Sequence, residues 1–193
     1  MSKPSNKERI LCEGLKVVHE HGFANASVRD IVQAAGVPQG SFTNHFASKE
    51  AFGLEIIDLY VEQARDLLDA TLHDQALTPL KRLEAYVDAA INQFCAGKLR
   101  TGCLLGNFAA EASDHSETLR QKLAEQFAAL RGELAATLRA AIAAGELPAD
   151  FNCEDAATLI QSGLQGAHLI GKAEHSTAAL EQFKRILFTK LLR

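Results

Sequence analysis

The chain has 193 residues and a mass of 20.9 kDa, enough for one large domain or a small one joined to a medium one. Alanine (32) and leucine (26) supply 58 residues against only 7 valines and 4 prolines, which favours helices and argues against a β-sandwich or barrel. Hydrophobic residues make up 47% and charged residues 23%, so a disordered chain is excluded, and the net charge of −4 does not by itself suggest a nucleic-acid partner.

The charge is uneven along the chain. Residues 1–50 carry six Lys/Arg and five Asp/Glu, whereas residues 51–193 carry fourteen and nineteen. A slightly basic head on an acidic body suits a small anion-binding unit. No apolar run approaches the roughly 20 residues needed to cross a bilayer. The opening Met1–Arg9 leads into an amphipathic segment and not an apolar signal core, so a cytoplasmic chain with no membrane partner is expected. The four cysteines, at 12, 95, 103 and 153, form no CxxC pair and are expected to be reduced.

In chain order, residues 6–22 read as a helix with Ile10, Leu11, Leu15, Val17 and Val18 near one face and Gly22 as its stop. Ser27, with Asp30 three residues on, signals a cap for a brief second helix broken by Ala35-Gly36-Val37-Pro38. A third short helix is expected from Pro38 to His45. Ser48 then caps a long helix to about Leu72, and Thr78-Pro79 opens the next. Cys103–Ala112 reads as a short apolar helix. A long one follows, with Leu119, Leu123, Phe127, Leu130, Leu134, Leu138 and Ile142 spaced by fours and a three. Gly145 and Pro148 stop it, and two last helices span about Cys153–Lys172 and Ser176–Leu192. The fold class is all-α: a three-helix head over residues 1–47 and a larger helical domain over 48–193.

Residues 27–46 carry the most specific pattern. Two short helices joined by a tight glycine turn outline a helix-turn-helix, and Gly36 can take the positive φ that the turn needs. Val28, Ile31, Val37 and Phe42 are expected to pack this pair on the first helix. On a helical wheel Pro38, Phe42 and Phe46 share one side. Gly40, Ser41, Thr43 and Asn44 share the other, with Gln39 and His45 at the margins. A glycine inside a helix costs about 1 kcal/mol relative to alanine, which suggests close approach of another molecule to Gly40. Small hydroxyls and amides suit phosphate oxygens and base edges in a major groove. Lys49 adds a cation, and helix starts at Ser27 and Ser48 add backbone donors. The same outline also fits a three-helix packing unit with no ligand.

The stretch Gly22-Phe23, Ser27-Val28-Arg29-Asp30-Ile31-Val32, Ala35-Gly36-Val37 and Gly40-Ser41-Phe42-Thr43-Asn44-His45-Phe46-Ala47-Ser48-Lys49-Glu50 resembles the DNA-binding head of the TetR/AcrR family of bacterial regulators. The resemblance covers about residues 8–55. It implies a homodimer that binds a palindromic double-stranded operator as a repressor and lets go when a small-molecule effector binds the helical body. It also implies DNA contacts from Ser27 and Arg29, from Gln39, Gly40, Ser41, Thr43 and Asn44, and from His45 and Lys49. Two positions depart from the family pattern. Gln39 stands where many members have lysine, and Thr43 where an aromatic is usual. Thr43 keeps one hydroxyl donor, and Gln39 can read adenine.

The segment from Asn92 through Gly102-Cys103-Leu104-Leu105 to Glu117 is similar to the N-ethylmaleimide-reductase repressor subgroup, which responds to electrophiles and oxidants. From the residues alone, Cys103 is the best reactive candidate. It sits at an expected helix N-terminus, just after Lys98 and Arg100, and both features favour thiolate. Packing as a small buried hydrophobe is the commoner use of a free cysteine. The expected effector pocket draws on Phe94, Leu104, Phe108, Phe127 and Leu164. His168 fits a satisfied core or pocket histidine better than a metal ligand. No HExxH, P-loop, GxGxxG or GxSxG motif is present, so neither a metal, a cofactor nor an enzyme activity is expected. A helical thiol-dependent peroxidase or reductase using Cys103 is the rival reading, and a ligand-binding protein with a vestigial head is a third. Small residues in the penultimate helix (Gly163, Gly166, Ala167, Gly171) and apolar ones in the last (Phe183, Leu187) resemble the family's four-helix dimer seam, although they also fit packing within one chain.

Overall fold

A computed structural model describes residues 4–193, and all regular structure among them is helical. The helices are α1 (Asn6–His21), α2 (Val28–Ala34), α3 (Gly40–His45), α4 (Lys49–Asp69), α5 (Pro79–Ala96), α6 (Leu104–Ala112), α7 (Glu117–Ala143), α8 (Cys153–Glu174) and α9 (Ala178–Ile186). A π-helical turn, Leu187–Leu191, continues α9.

Local chemistry sets the starts and stops. Ser5 and Glu8 form a reciprocal capping box at α1, and Ser27 and Asp30 form a second at α2. Gly22 ends α1 at φ +84°, and Gly36 makes the α2–α3 turn at φ +61°. The Arg9 guanidinium donates to the Gly36 carbonyl at 3.1 Å and braces that turn on α1.

Three boundaries differ from expectation. α3 begins at Gly40 and not at Pro38, because Pro38 and Gln39 sit in a tight turn that accepts from the Ser41 and Phe42 amides. α4 stops at Asp69, where the Thr71 hydroxyl takes the Leu67 carbonyl. The last α-helix ends at Ile186, and the Thr189 hydroxyl takes the Arg185 carbonyl in the wider turn that follows.

The chain packs as two compact units: residues up to Gln63 with Leu104–Glu125, and Ala64–Cys103 with Gln126–Arg193. α4 and α7 therefore each contribute to both, whereas the sequence reading divides the chain at 47/48. In the first unit Phe42, Phe46 and Phe52 meet pairwise at 5.1–5.4 Å between ring centres. Ile10 and Ile31 are buried in the same unit. Gly14 lets α1 close on this cluster, since a Cβ there would lie 2.6 Å from Phe52 Cζ. Val28 and Val37 are only half-buried. The second unit is a continuous core of Leu83, Val87 and Phe94 with Leu134, Leu138, Ile160 and Leu180. Lys184 of α9 pairs with Asp88 of α5 at 2.6 Å.

Candidate nucleic-acid interface

α3 is six residues long, and its burial pattern follows from its aromatic anchors. Phe42 and Phe46 turn into the core, which leaves Thr43, Asn44 and His45 exposed on the same helix. Gln39 and Gly40 are exposed at its start, and Ser27 and Arg29 are exposed at the start of α2. Apart from its chain neighbours and its own helix backbone, no described residue lies within 4 Å of where a Gly40 Cβ would be, so no packing among them requires glycine there. The result is a small, polar, solvent-facing surface with an uncovered backbone at its leading end.

Several expected contact residues are engaged differently from the sequence reading. Ser41 is buried at 8% exposure, on the Phe42 side of α3 and not the outward side. The Thr43 hydroxyl donates back to the Gly40 carbonyl at 3.1 Å, so its proton is used and only acceptor capacity faces out. The Ser27 hydroxyl accepts from the Asp30 amide and donates to its carboxylate. Hydrogen bonds from the Ser27 hydroxyl and amide hold the Asp30 carboxyl below its usual range. Lys49 is half-buried; its ammonium donates to the Ala24 carbonyl at 3.1 Å and sits 4.9 Å above the Phe23 ring. Burial lowers its pKa, against the pull of Glu111. Glu111 lies in the segment that carries the second resemblance, but the sequence assigns it no role; its place beside Gly22 and Ala24 is set by the fold.

The residues expected at the effector site divide between the two units. Phe94, Cys103, Phe127, Leu164 and His168 lie in the second, and Leu104 and Phe108 in the first. Phe108 is buried there, with its ring stacked on Phe23 at 4.7 Å. Cys103 is half-buried just before α6, and the Gln165 amide donates to its sulfur at 3.2 Å. One turn along α8, His168 Nδ1 lies 2.9 Å from the Leu164 carbonyl and the ring sits edge-on to Phe94. Burial pushes the His168 pKa down, so the neutral ring is favoured despite hydrogen bonds to the Leu164 and Ala90 carbonyls. Phe127 is half-buried, and its carbonyl accepts from Gln161 at 3.1 Å. Cys12 and Cys95 are exposed and Cys153 is buried. Among the described residues no group of three His, Cys, Asp or Glu is placed to hold a metal ion, and no helix is long and apolar enough to cross a membrane.

The small residues of α8 divide by role. Gly163 makes room for Phe183 of the same chain, and Gly171 for Ser176 and Phe94. Ala167 and Leu187 are buried in the protomer's own core. Of the expected seam residues, Ala167 and Leu187 are thus taken up by the protomer's own core, while Gly163 and Phe183 meet each other and stay half-exposed. The large apolar side chains left exposed on these helices are Leu159 (53% exposed), Leu169 (70%) and Ile170 (49%) of α8 and Ile186 (48%) of α9.

A short polar helix carried past a glycine turn, on a three-helix head with an all-helical body, defines a helix-turn-helix DNA-binding protein. Residues 10–56 match the family model for bacterial regulatory proteins of the tetR family, and residues 79–187 match that for the tetracyclin repressor-like C-terminal domain. The chain belongs to the TetR family and is a DNA-binding transcriptional regulator. It is similar to the HTH-type transcriptional repressor DhaR of Mycobacterium sp. (strain GP1), at 32% identity over 192 residues, 100% of this chain and 95% of that one. It is similar in fold to a regulatory protein TetR from Rhodobacter sphaeroides (TM-score 0.88, 32% identity, 92% and 94% of the chains covered). The reduced form of E. coli NemR is also similar (TM-score 0.85, 26% identity, 93% of each chain).

Proposed function

We propose that the chain is a homodimeric repressor that reads a palindromic operator through α3 and is released by a small-molecule effector held in its helical body. The observation that carries the reading is the outward surface of α3. Thr43, Asn44 and His45 are solvent-facing, Gln39 borders them, and Gly40 has open space where a side chain would stand. A helix of this kind lies in a major groove with its first residues on base edges, and Arg29 and the start of α2 meet the flanking phosphates. Asn44 and Gln39 are the base-reading candidates, because their amides can pair with adenine. Gel-shift titration of the gene's own upstream region tests this. Asn44→Ala with Gln39→Ala is expected to weaken binding about tenfold or more and to blur the preference over unrelated DNA. Unchanged selectivity in a folded variant would remove α3 from the reading role.

Release follows from differential affinity. An effector that binds better to a body conformation whose paired heads no longer match successive grooves, about 34–36 Å apart, lowers operator occupancy. Cys103 is the favoured contact, because its sulfur already takes a hydrogen bond from Gln165 while remaining half-exposed. With Cys103→Ser, release from the operator by oxidants or enals is expected to be lost while DNA binding persists. Normal release from the variant would leave a non-covalent ligand near Phe94, Leu164 and His168 as the effector mode.

A further inference from the structure

The turn between α1 and α2 is held from two sides by one pair of opposite charges. The Ala24 N–H donates to Glu111 Oε2 of α6 at 2.9 Å, and the Ala24 carbonyl accepts from the Lys49 ammonium of α4 at 3.1 Å. Phe23, the residue before, is held by both α6 and α4. Its ring stacks on Phe108 of α6. It also lies against α4, where a Cβ on Gly53 would come within 2.8 Å of the ring and the Lys49 ammonium stands over it. Gly22 completes the arrangement. At φ +84° it has a backbone that other residues rarely adopt, and the Glu111 carboxylate lies where its Cβ would be, 2.5 Å from Oε1. Three residues in a row are therefore shaped around two charged side chains that lie 25 and 87 positions away from Ala24 in the chain.

We infer that Glu111 and Lys49 are positioning residues for DNA binding: together they grip Ala24 and fix the turn from which Ser27 and Arg29 issue. On this assignment Lys49 acts through the turn and not as a phosphate contact. Its ammonium is already committed to a carbonyl and a ring face, and partial burial removes it from the solvent-facing set. The benefit to binding is pre-organisation. The head presents Arg29 and α3 without first ordering the turn, and an ordering cost would otherwise come out of the affinity. The assignment rests on the operator-binding reading above.

Coulomb's law supplies the discriminating test. Removing the negative charge of Glu111 should by itself strengthen binding to a polyanion, whereas loosening the grip should weaken it. Glu111→Gln and Lys49→Met are compared with the unsubstituted protein on a duplex from the gene's upstream region, at several salt concentrations. Amide exchange over residues 22–26 is followed in parallel, and the urea midpoint controls for global folding. We expect each variant to bind about three- to tenfold more weakly, a loss the size of one ordinary net hydrogen bond. Exchange over the turn should be faster, the salt slope unchanged, and the double variant less damaged than the product of the two single losses. The proposal is overturned if Glu111→Gln binds as well or better. It is equally overturned if Lys49→Met flattens the salt slope by about 0.9, the share of one neutralised phosphate, while exchange over 22–26 stays slow. Should the unsubstituted protein fail to select the duplex, the operator reading fails, and the exchange comparison alone still upholds or overturns the grip.

Discussion

Gly40 shows how much a single residue can carry. Its position opens a helix where alanine would be preferred by up to about 1 kcal/mol, and among the described residues none beyond its chain neighbours and own helix backbone comes within 4 Å of the missing Cβ. The cost is therefore not repaid inside the protein. Gly40→Ala is expected to raise the urea midpoint slightly and to lower DNA affinity, a pair of opposite signs that denaturation and gel-shift titrations can read on one preparation. A variant that gains stability and keeps full affinity would mean that DNA does not approach the backbone there. Gly22 and Gly36 were legible in the sequence, because their positive-φ roles follow from backbone geometry within a few residues. Ser41 and Lys49 were not. A wheel drawn on nine residues cannot say how wide the buried arc is, and Lys49 is claimed by Ala24 and Phe23, which only the folded head brings to it.

Elements were legible where local chemistry decides them and less so where side-chain hydroxyls or distant partners do. The Ser27–Asp30 box was visible as spacing, and it opens α2 as expected. Ser27→Ala should lower stability by about 1 kcal/mol at neutral pH, measured by urea denaturation. Asp30 is held below 3.8 by Ser27, so its contribution is present above that unfolded value and lost as pH falls through the lower folded one. The gap between the variant and the parent should therefore narrow in acid. His73, just past α4, was not foreseen. Its ring bridges Asp69 (2.7 Å to Nδ1) and Glu133 of α7 (2.9 Å to Nε2), so both nitrogens serve as donors in the charged form. Hydrogen bonds to Glu133 and then Asp69 raise its pKa above 6.5. The sign is the reverse of the Asp30 case. The bridge contributes fully below 6.5 and is lost as pH rises through the raised value. NMR titration of His73 should give a midpoint above 6.5 that falls in Glu133→Gln; a midpoint that ignores Glu133 would break the bridge assignment.

At the scale of the whole molecule the question is what covers the apolar face of α8 and α9. Leu159, Leu169, Ile170 and Ile186 are between 48% and 70% exposed, a set of large aliphatics that a monomer gains nothing by presenting. Gly166 lies on the same helix with nothing within 4 Å of its missing Cβ, whereas Gly163 and Gly171 are explained by neighbours in the chain. Small residues in the sequence thus announced close packing on α8 but not with which partner. Only their surroundings separate the intrachain glycines from the open one. A second copy docked by a twofold axis would bury this face, use the gap at Gly166, and give the two heads that a palindrome requires. Leu169→Glu with Ile170→Glu is expected to sediment as a monomer at micromolar concentration. Operator affinity should fall at least a hundredfold, because the second half-site no longer benefits from tethering. Gly166→Leu gives an independent check. Inside one protomer the new Cβ stands in open space and leucine improves helix propensity by roughly 0.8 kcal/mol, so the fold should hold while the dimer weakens. If both variants remain dimeric and bind the operator as the parent does, the twofold contact must be sought on another face.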